Sequence, residues 1–143
     1  MDLGGKRTGI AVSDLTGTLA GGLEVVESPG LKDCAKKVLD TAERYAVSQI
    51  VLGYPVNLNG TKGESSQTTE KFKEILENSA KSRRLEIEVI LFDERLSTSL
   101  AHVYMNQTGI KSRDRKEKID MLSAQIILQN YLDSKKAADN APL

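Results

Sequence analysis

Residues 49–55 read QIVLGYP and residues 87–95 read IEVILFDER. Each is a short apolar run that stops abruptly: the first at Gly53 and Pro55, the second at the charges Asp93, Glu94 and Arg95. Apolar runs of this length predict strands covered on both faces, over 49–53 and 87–92. Helical patterns surround them. Leu31, Ala35, Val38, Leu39, Ala42 and Tyr45 recur at the spacing of one helix face and predict a helix over 31–46. Phe72, Ile75 and Leu76 give a narrower stripe to a helix starting at Glu64 and reaching Ala80, after a loop rich in Asn, Gly and Thr over 57–63. Toward the N-terminus, TGIAVS (8–13) and the run 22–26 read as hairpin strands, with turn signals at Asp14, Thr16 and Gly17. Toward the C-terminus, Ser97 or Thr98 caps a helix running to Gln107 and ended by Gly109. A last helix over 115–132 turns Ile119, Leu122, Ile126 and Leu132 inward. An antiparallel hairpin followed by alternating helices and strands predicts a mixed α/β sheet with helices packed on it. Sites in such sheets form at the carboxyl ends of the parallel strands.

The totals set the class. With 143 residues, 39% hydrophobic and 28% charged, the chain reads as one globular domain over 1–143, without internal repeats or linkers. No apolar run is long enough to span a bilayer, and no secretory pattern opens the chain, so a cytoplasmic protein without a membrane partner is expected. One cysteine, Cys34, rules out an internal disulfide; with one histidine, His102, it also rules out a Cys/His zinc cluster. Any Ser-His or Cys-His chemistry would rest on His102 alone. Lys plus Arg total 20 and balance 20 Asp plus Glu, which is not the profile of a strongly basic nucleic-acid binder. Distribution adds what totals hide: KSRDRKEK (111–118) holds five positive and two negative charges, and smaller basic groups occur at Lys81, Arg83 and Arg84 and at Lys6 and Arg7. Each alone reads as solvated surface. They carry function only if folding gathers them.

Three acids stand at informative places. Asp2 opens MDLGGKRTG, where Gly4 and Gly5 leave room for a polyanionic backbone. Glu94 lies just beyond a buried strand. Asp120 follows Ile119 on the last helix, beside its inward stripe, where an acid costs free energy unless paired or metal-bound. Carboxylates converging without histidine or thiolate suit a hard cation, Mg²⁺ or Mn²⁺. Such ions can activate water and stabilise a leaving oxygen in phosphodiester cleavage. Spacing leaves surface or capping roles equally open for these three, and favours such roles for Asp14, Asp33, Asp40 and Asp114.

Taken together, MDLGGKRTGIAVSD, IVLGYPVNLNGT, FDERLST and KIDMLSAQIILQNYLD resemble the YqgF (RuvX) family of bacterial proteins, in family order and over almost the whole chain. The resemblance implies an RNase H-like fold: a mixed five-stranded sheet with helices on both faces. It implies a metal-dependent nuclease, with Mg²⁺ or Mn²⁺ as cofactor, acting on structured nucleic acid. Family members are assigned to 5′-end maturation of the 16S ribosomal RNA precursor in ribosome biogenesis, and some are described as Holliday junction resolvases acting on branched DNA. By motif position, Asp2, Glu94 and Asp120 fall on the catalytic, metal-holding acids. Asp93, Lys6 and Arg95 fall on neighbouring positions, and Asn57, Asn59 and Thr61 fall in a loop expected near the substrate backbone. Lys6, Arg7, Arg95 and the basic stretch with Lys111, Arg113, Arg115 and Lys116 are expected to position phosphates.

Two departures matter. Family members carry about five mostly apolar residues before the motif aspartate, whereas only Met1 precedes Asp2 here. The first strand is therefore expected to be cut short, with Asp2 poorly anchored unless the sheet is repaired another way. Gly5 stands where threonine is common, which loosens the loop. Rival readings are a junction resolvase, which needs paired sites and hence a dimer, and a non-catalytic RNA-binding module of ribosome assembly. A monomer or weak homodimer is expected. DLGGKRTG also resembles the phosphate loops of sugar kinases and actin-like ATPases, but those enclose nucleotide between two related domains, and this chain supplies one.

Overall fold

A computed structural model of the chain describes residues 1–55, 63–93 and 112–139, with side chains from residue 116 in the last segment. Its elements are β1 (Arg7–Ser13), β2 (Ala20–Glu27), α1 (Leu31–Arg44), β3 (Gln49–Tyr54), α2 (Glu64–Ser82), β4 (Glu88–Asp93) and α3 (Ser112–Asp139). β1 and β2 form an antiparallel hairpin with a bulge between Ile10 and Ala11. The bulge lets Gly9 face Val25 while Ala11 faces Gly22. β3 and β4 pair in parallel, Gln49 with Glu88 through Tyr54 with Asp93. The hairpin turn is tied by the Asp14 carboxylate, which accepts from the Thr18 and Leu19 amides at 2.8 and 3.3 Å. Those bonds, Thr18 first, hold its pKa below the usual value against a smaller opposing effect of burial.

The expected five-stranded sheet is not formed among the described residues, which give two two-stranded sheets. Met1 and Asp2 lie between β1 and β3. The Met1 nitrogen donates to the Val51 carbonyl at 2.6 Å, and the Gly53 amide donates back to the Met1 carbonyl at 3.0 Å. On the other side, Asp2 and Gly9 exchange both backbone bonds, at 2.9 and 3.0 Å, as an isolated antiparallel bridge. Two residues can bridge two sheets at one rung, but they are too few to be a strand. The same rung corrects the expectation of a poorly anchored Asp2. Its backbone is held on one side directly and on the other through Met1.

Helices cover both faces. On one, Val38, Leu39, Ala42, Phe72, Leu76, Ile50, Leu52 and Met1 make one core. Phe72, Leu39, Leu52 and Leu76 are fully enclosed, each contributing about 1.5–3 kcal/mol by leaving water. Both α1 and α2 end in a left-handed cap made without glycine. Ala46 (φ 50°) and Arg84 (φ 58°) sit at the turn, and the next amides, Val47 and Leu85, reach back to Ala42 and Ala80 at 3.1 and 2.9 Å. Arg83 clips the two helices together through Asp40 and Glu43 at 2.8 and 3.0 Å.

On the other face α3 lies across β1 and β2. Ile119, Ala124 and Ile127 are buried there, and Ser123 with them. The Gln129 amide grips the hairpin, accepting from the Ala20 amide at 2.9 Å and donating to the Thr18 carbonyl at 3.0 Å. Phe92 of β4 meets Tyr131 of α3 edge to face at 5.7 Å. α3 starts earlier than the sequence pattern indicates, at Ser112, so most of the basic stretch is the first turns of a helix and not a loop. Its run of Arg, Lys and Glu contains no helix breaker. The helix expected over 97–107, with His102, and the loop over 57–62 lie outside the described residues.

Candidate active site

The two described acids of the expected trio come together, and the reason is Gly9. This glycine is the only rung between Asp2 and the hairpin among the described residues. Its side-chain direction points at the backbone of α3, where an added Cβ would stand 1.9 Å from the Asp120 carbonyl oxygen. Gly9 is thus pressed between Asp2 on its edge and Asp120 on its face. A glycine inside an apolar strand pattern is the signal for such close approach. The sequence pattern places close approach at Gly4 and Gly5 instead. Of those two, Gly4 serves its own turn, since a Cβ there would meet the Arg7 carbonyl oxygen at 2.0 Å. Gly5 faces open space.

Asp120 carries the electrostatics. Burial pushes its carboxyl above the usual value; the Arg7 guanidinium opposes this, and the charges of Asp2 and Glu117 add to it. Arg7 Nε lies 3.4 Å from Asp120 Oδ2. That oxygen is buried and accepts no hydrogen bond. A carboxylate oxygen shielded from water, beside a second carboxylate and one guanidinium, has capacity for another cation. The donor set is all oxygen, which fits Mg²⁺ or Mn²⁺. Among the described residues no three His, Cys, Asp or Glu side chains form a metal-holding group.

The other expected residues divide as follows. Arg7 touches Asp120, so its role begins at the acids. Lys6 is exposed at the turn leading into β1, and Lys116 is exposed one helical turn before Asp120. Asp93 ends β4 at the carboxyl edge of the parallel pair, opposite Tyr54. Glu94, Arg95, Asn57, Asn59, Thr61 and Lys111 lie outside the described residues, as do the side chains of Arg113 and Arg115. Cys34 is a buried packing residue whose Sγ is 3.5 Å from the Thr8 hydroxyl. Lys81, Arg83 and Arg84 belong to the far end of α2, where Arg83 is structural.

The chain is similar to known proteins over most of its length. A family model described as "RuvX: Holliday junction resolvase" matches residues 1–134. A protein of Ruminiclostridium cellulolyticum named "Putative pre-16S rRNA nuclease" is 40% identical over 134 residues, covering 93% of this chain and 91% of its own. Relatives of the same name from Agathobacter rectalis and Thermoanaerobacter pseudethanolicus are 42% and 40% identical, covering 93% and 95% of this chain and 92% and 95% of theirs. Among solved structures, Thermus thermophilus RuvC in complex with a Holliday junction substrate superposes with a TM-score of 0.54 at 17% identity, over 94% of this chain and 92% of that one. At that identity the likeness establishes an RNase H-like α/β fold. No helix among the described residues is long and apolar enough to cross a membrane.

Proposed function

The chain belongs to the RuvX family, and from that premise we propose that it is a metal-dependent nuclease acting on structured nucleic acid, with the 5′ end of the 16S ribosomal RNA precursor as its substrate. The observation that carries the reading is the buried Asp120 oxygen beside Asp2, short of a donor and facing one guanidinium. Membership of the family and the names of the relatives supply the substrate class.

In this reading Asp2 and Asp120, with Glu94 from the segment after β4, hold Mg²⁺ or Mn²⁺. When bound, the ion supplies an activated water and stabilises the departing 3′ oxygen. The chain's own residues do the rest. The Gly9 rung fixes the Asp2 backbone, so its carboxylate is presented without reorganisation. Arg7 offsets the charge of Asp120 before substrate arrives and is placed to take a phosphate oxygen when the acids engage a cation. Lys6 and Lys116 flank the acids on exposed surface, and with Arg95, Lys111, Arg113 and Arg115 they track the backbone of a folded substrate. Asn57, Asn59 and Thr61 supply uncharged donors to the same backbone. With four Tyr, two Phe and no Trp in the chain, recognition rests on shape and phosphates more than on stacked bases.

The test incubates the protein with precursor ribosomal RNA and with a four-way DNA junction, in Mn²⁺, Mg²⁺ or chelator, and maps the ends produced. Cleavage of the RNA that needs a divalent cation, abolished in Asp2→Asn and Asp120→Asn while binding persists, supports the proposal. Paired incision of the junction by a dimer instead assigns the activity that the family description names. Binding of both substrates without any divalent-dependent product leaves an RNA-binding assembly module and refutes the nuclease reading.

A further inference from the structure

Among the described residues, Thr8, Thr41, Ser66, Thr69 and Ser123 are the buried polar side chains, and each carries a hydroxyl. Four of them have partners. Thr8 meets the Cys34 thiol at 3.5 Å and Thr41 donates to Glu24 at 2.6 Å. Ser66 donates to the Pro55 carbonyl, and Thr69 to the Ser65 carbonyl at 2.8 Å. Ser123 is the exception: it is 1% exposed and its Oγ has no partner. A serine inside a helix has the carbonyl four residues back within reach. Ser123 does not take that of Ile119.

Helix geometry says where the unmatched hydroxyl stands. Ser123 lies about 4.5 Å along α3 from Asp120 and within about 60° of it around the axis. Each Cα–Cβ bond tilts toward the helix N-terminus, so the Ser123 side chain leans back toward Asp120. Rotation sets its side. Met121 and Gln125 face β2, at 3.4 and 3.8 Å from the place of a Cβ on Gly22. Tyr131, within about 20° of Asp120 around the axis, meets Phe92 of β4. Ser123 is displaced from Asp120 in the sense opposite to Met121, so its hydroxyl lies on the side of the acid turned from β2. Asp120 Oδ2 is likewise buried and accepts no hydrogen bond. Two polar atoms shielded from water, both unmatched, thus stand one helical turn apart. Such a pair opposes folding, and it marks a place for a further group.

We propose that Ser123 is a positioning residue of the cation centre, its hydroxyl holding a water in the hydration shell of a divalent ion whose direct ligand is the Asp120 carboxylate. The inference rests on the cation-binding reading of Asp2 and Asp120 and adds to it a residue outside the acidic set. Mg²⁺ keeps several waters and binds through one or two carboxylates, so a neutral oxygen one turn away serves the shell without adding charge. A hydroxyl can accept from such a water, and a methyl group cannot. Outer partners of this kind are worth roughly 10–100-fold in cation affinity.

The experiment titrates Mn²⁺ into the full chain by calorimetry, with no nucleic acid present, and compares the wild type with Ser123→Ala and Ile127→Val. Ser123→Ala is expected to bind Mn²⁺ at least tenfold more weakly. Without cation it is expected to melt about 2 °C or more above the wild type, because an unmatched hydroxyl is gone. Ile127→Val changes only packing on the same buried face; it is expected to melt lower and to bind Mn²⁺ as the wild type does. That split separates positioning from packing. Equal Mn²⁺ affinity in Ser123→Ala and the wild type overturns the proposal. So does a lower melting temperature of Ser123→Ala without cation, which would give the hydroxyl a partner inside the protein. A wild type that takes up no Mn²⁺ removes the cation centre itself, and the nuclease reading falls with it.

Discussion

A methyl group added at Gly9 tests the link between the fold and the acids. In Gly9→Ala the new carbon would stand 1.9 Å from the Asp120 carbonyl oxygen, 2.5 Å from its carbon and 3.2 Å from the Met121 nitrogen. All three are helix backbone, so no flexible side chain can swing aside. Reaching an ordinary contact near ~3.5 Å requires α3 to retreat from β1 by about 1.5 Å. Overpacking of this kind costs roughly 1–3 kcal/mol. Against it, alanine in a strand gains about 0.5–1 kcal/mol over glycine through the unfolded chain. The net expectation is a loss of about 1–2 kcal/mol, read as a lower urea midpoint at unchanged m. Gly21→Ala is the control, because a Cβ there meets nothing within 4 Å; it should be neutral or slightly stabilising. Retreat of α3 also carries Asp120 away from Asp2, and a displacement of about 1 Å at reacting groups costs on the order of 100-fold in rate. If Gly9→Ala matches Gly21→Ala in stability and cleaves at the wild-type rate, α3 does not rest on β1 at this point. The juxtaposition of the two acids then falls with it.

Asp120→Asn should cost activity yet raise stability at neutral pH. Burial raises the Asp120 carboxyl above its ordinary value of 3.8, so the folded state holds this proton at pH values where the unfolded chain has lost it. Its contribution therefore falls as pH rises from 3.8 through the raised value and stays lost above it; thermal melts should show the variant's advantage growing over that window and then levelling. Mn²⁺ at about 100 times its dissociation constant should stabilise the wild type by about 2.7 kcal/mol and Asp120→Asn far less, and equal shifts would place the cation elsewhere. Gln129→Ala removes two bonds that hold the hairpin and should lose about 1–2 kcal/mol in urea unfolding. Arg84→Gly relieves a left-handed residue at the end of α2 and should gain about 0.5–1 kcal/mol, provided the cap bond from Leu85 to Ala80 forms as described.

Much of this molecule was legible in local pattern. The strands at Gln49–Tyr54 and Glu88–Asp93 and the helix faces of α1 and α2 follow from apolar periodicity, because burial on one face or two leaves a different repeat in the chain. The ends of α1 and α2 were not, since Ala46 and Arg84 adopt a left-handed cap that neither residue type advertises. Tyr45 shares the apolar stripe of α1 yet is exposed, because the stripe outlasts the surface it packs on. Asp2 and Asp120 could be singled out by motif and by the oddity of an acid next to a core stripe.

Their meeting could not be read that way. It depends on a bridge of one residue pair, Asp2 with Gly9, and on that glycine letting a helix more than a hundred residues away lie against the strand. Charge gave the same lesson: Arg7 reads as one more surface cation until packing sets it 3.4 Å from the buried oxygen of a half-buried carboxylate. By itself the sequence determined which segments are strand or helix and which acids deserve suspicion, because those properties are local. Only the tertiary structure decided that Asp2 and Asp120 face one another across Gly9, and that Met1 and Asp2 tie the two sheets together. Proximity and exclusion of water belong to the packed chain as a whole.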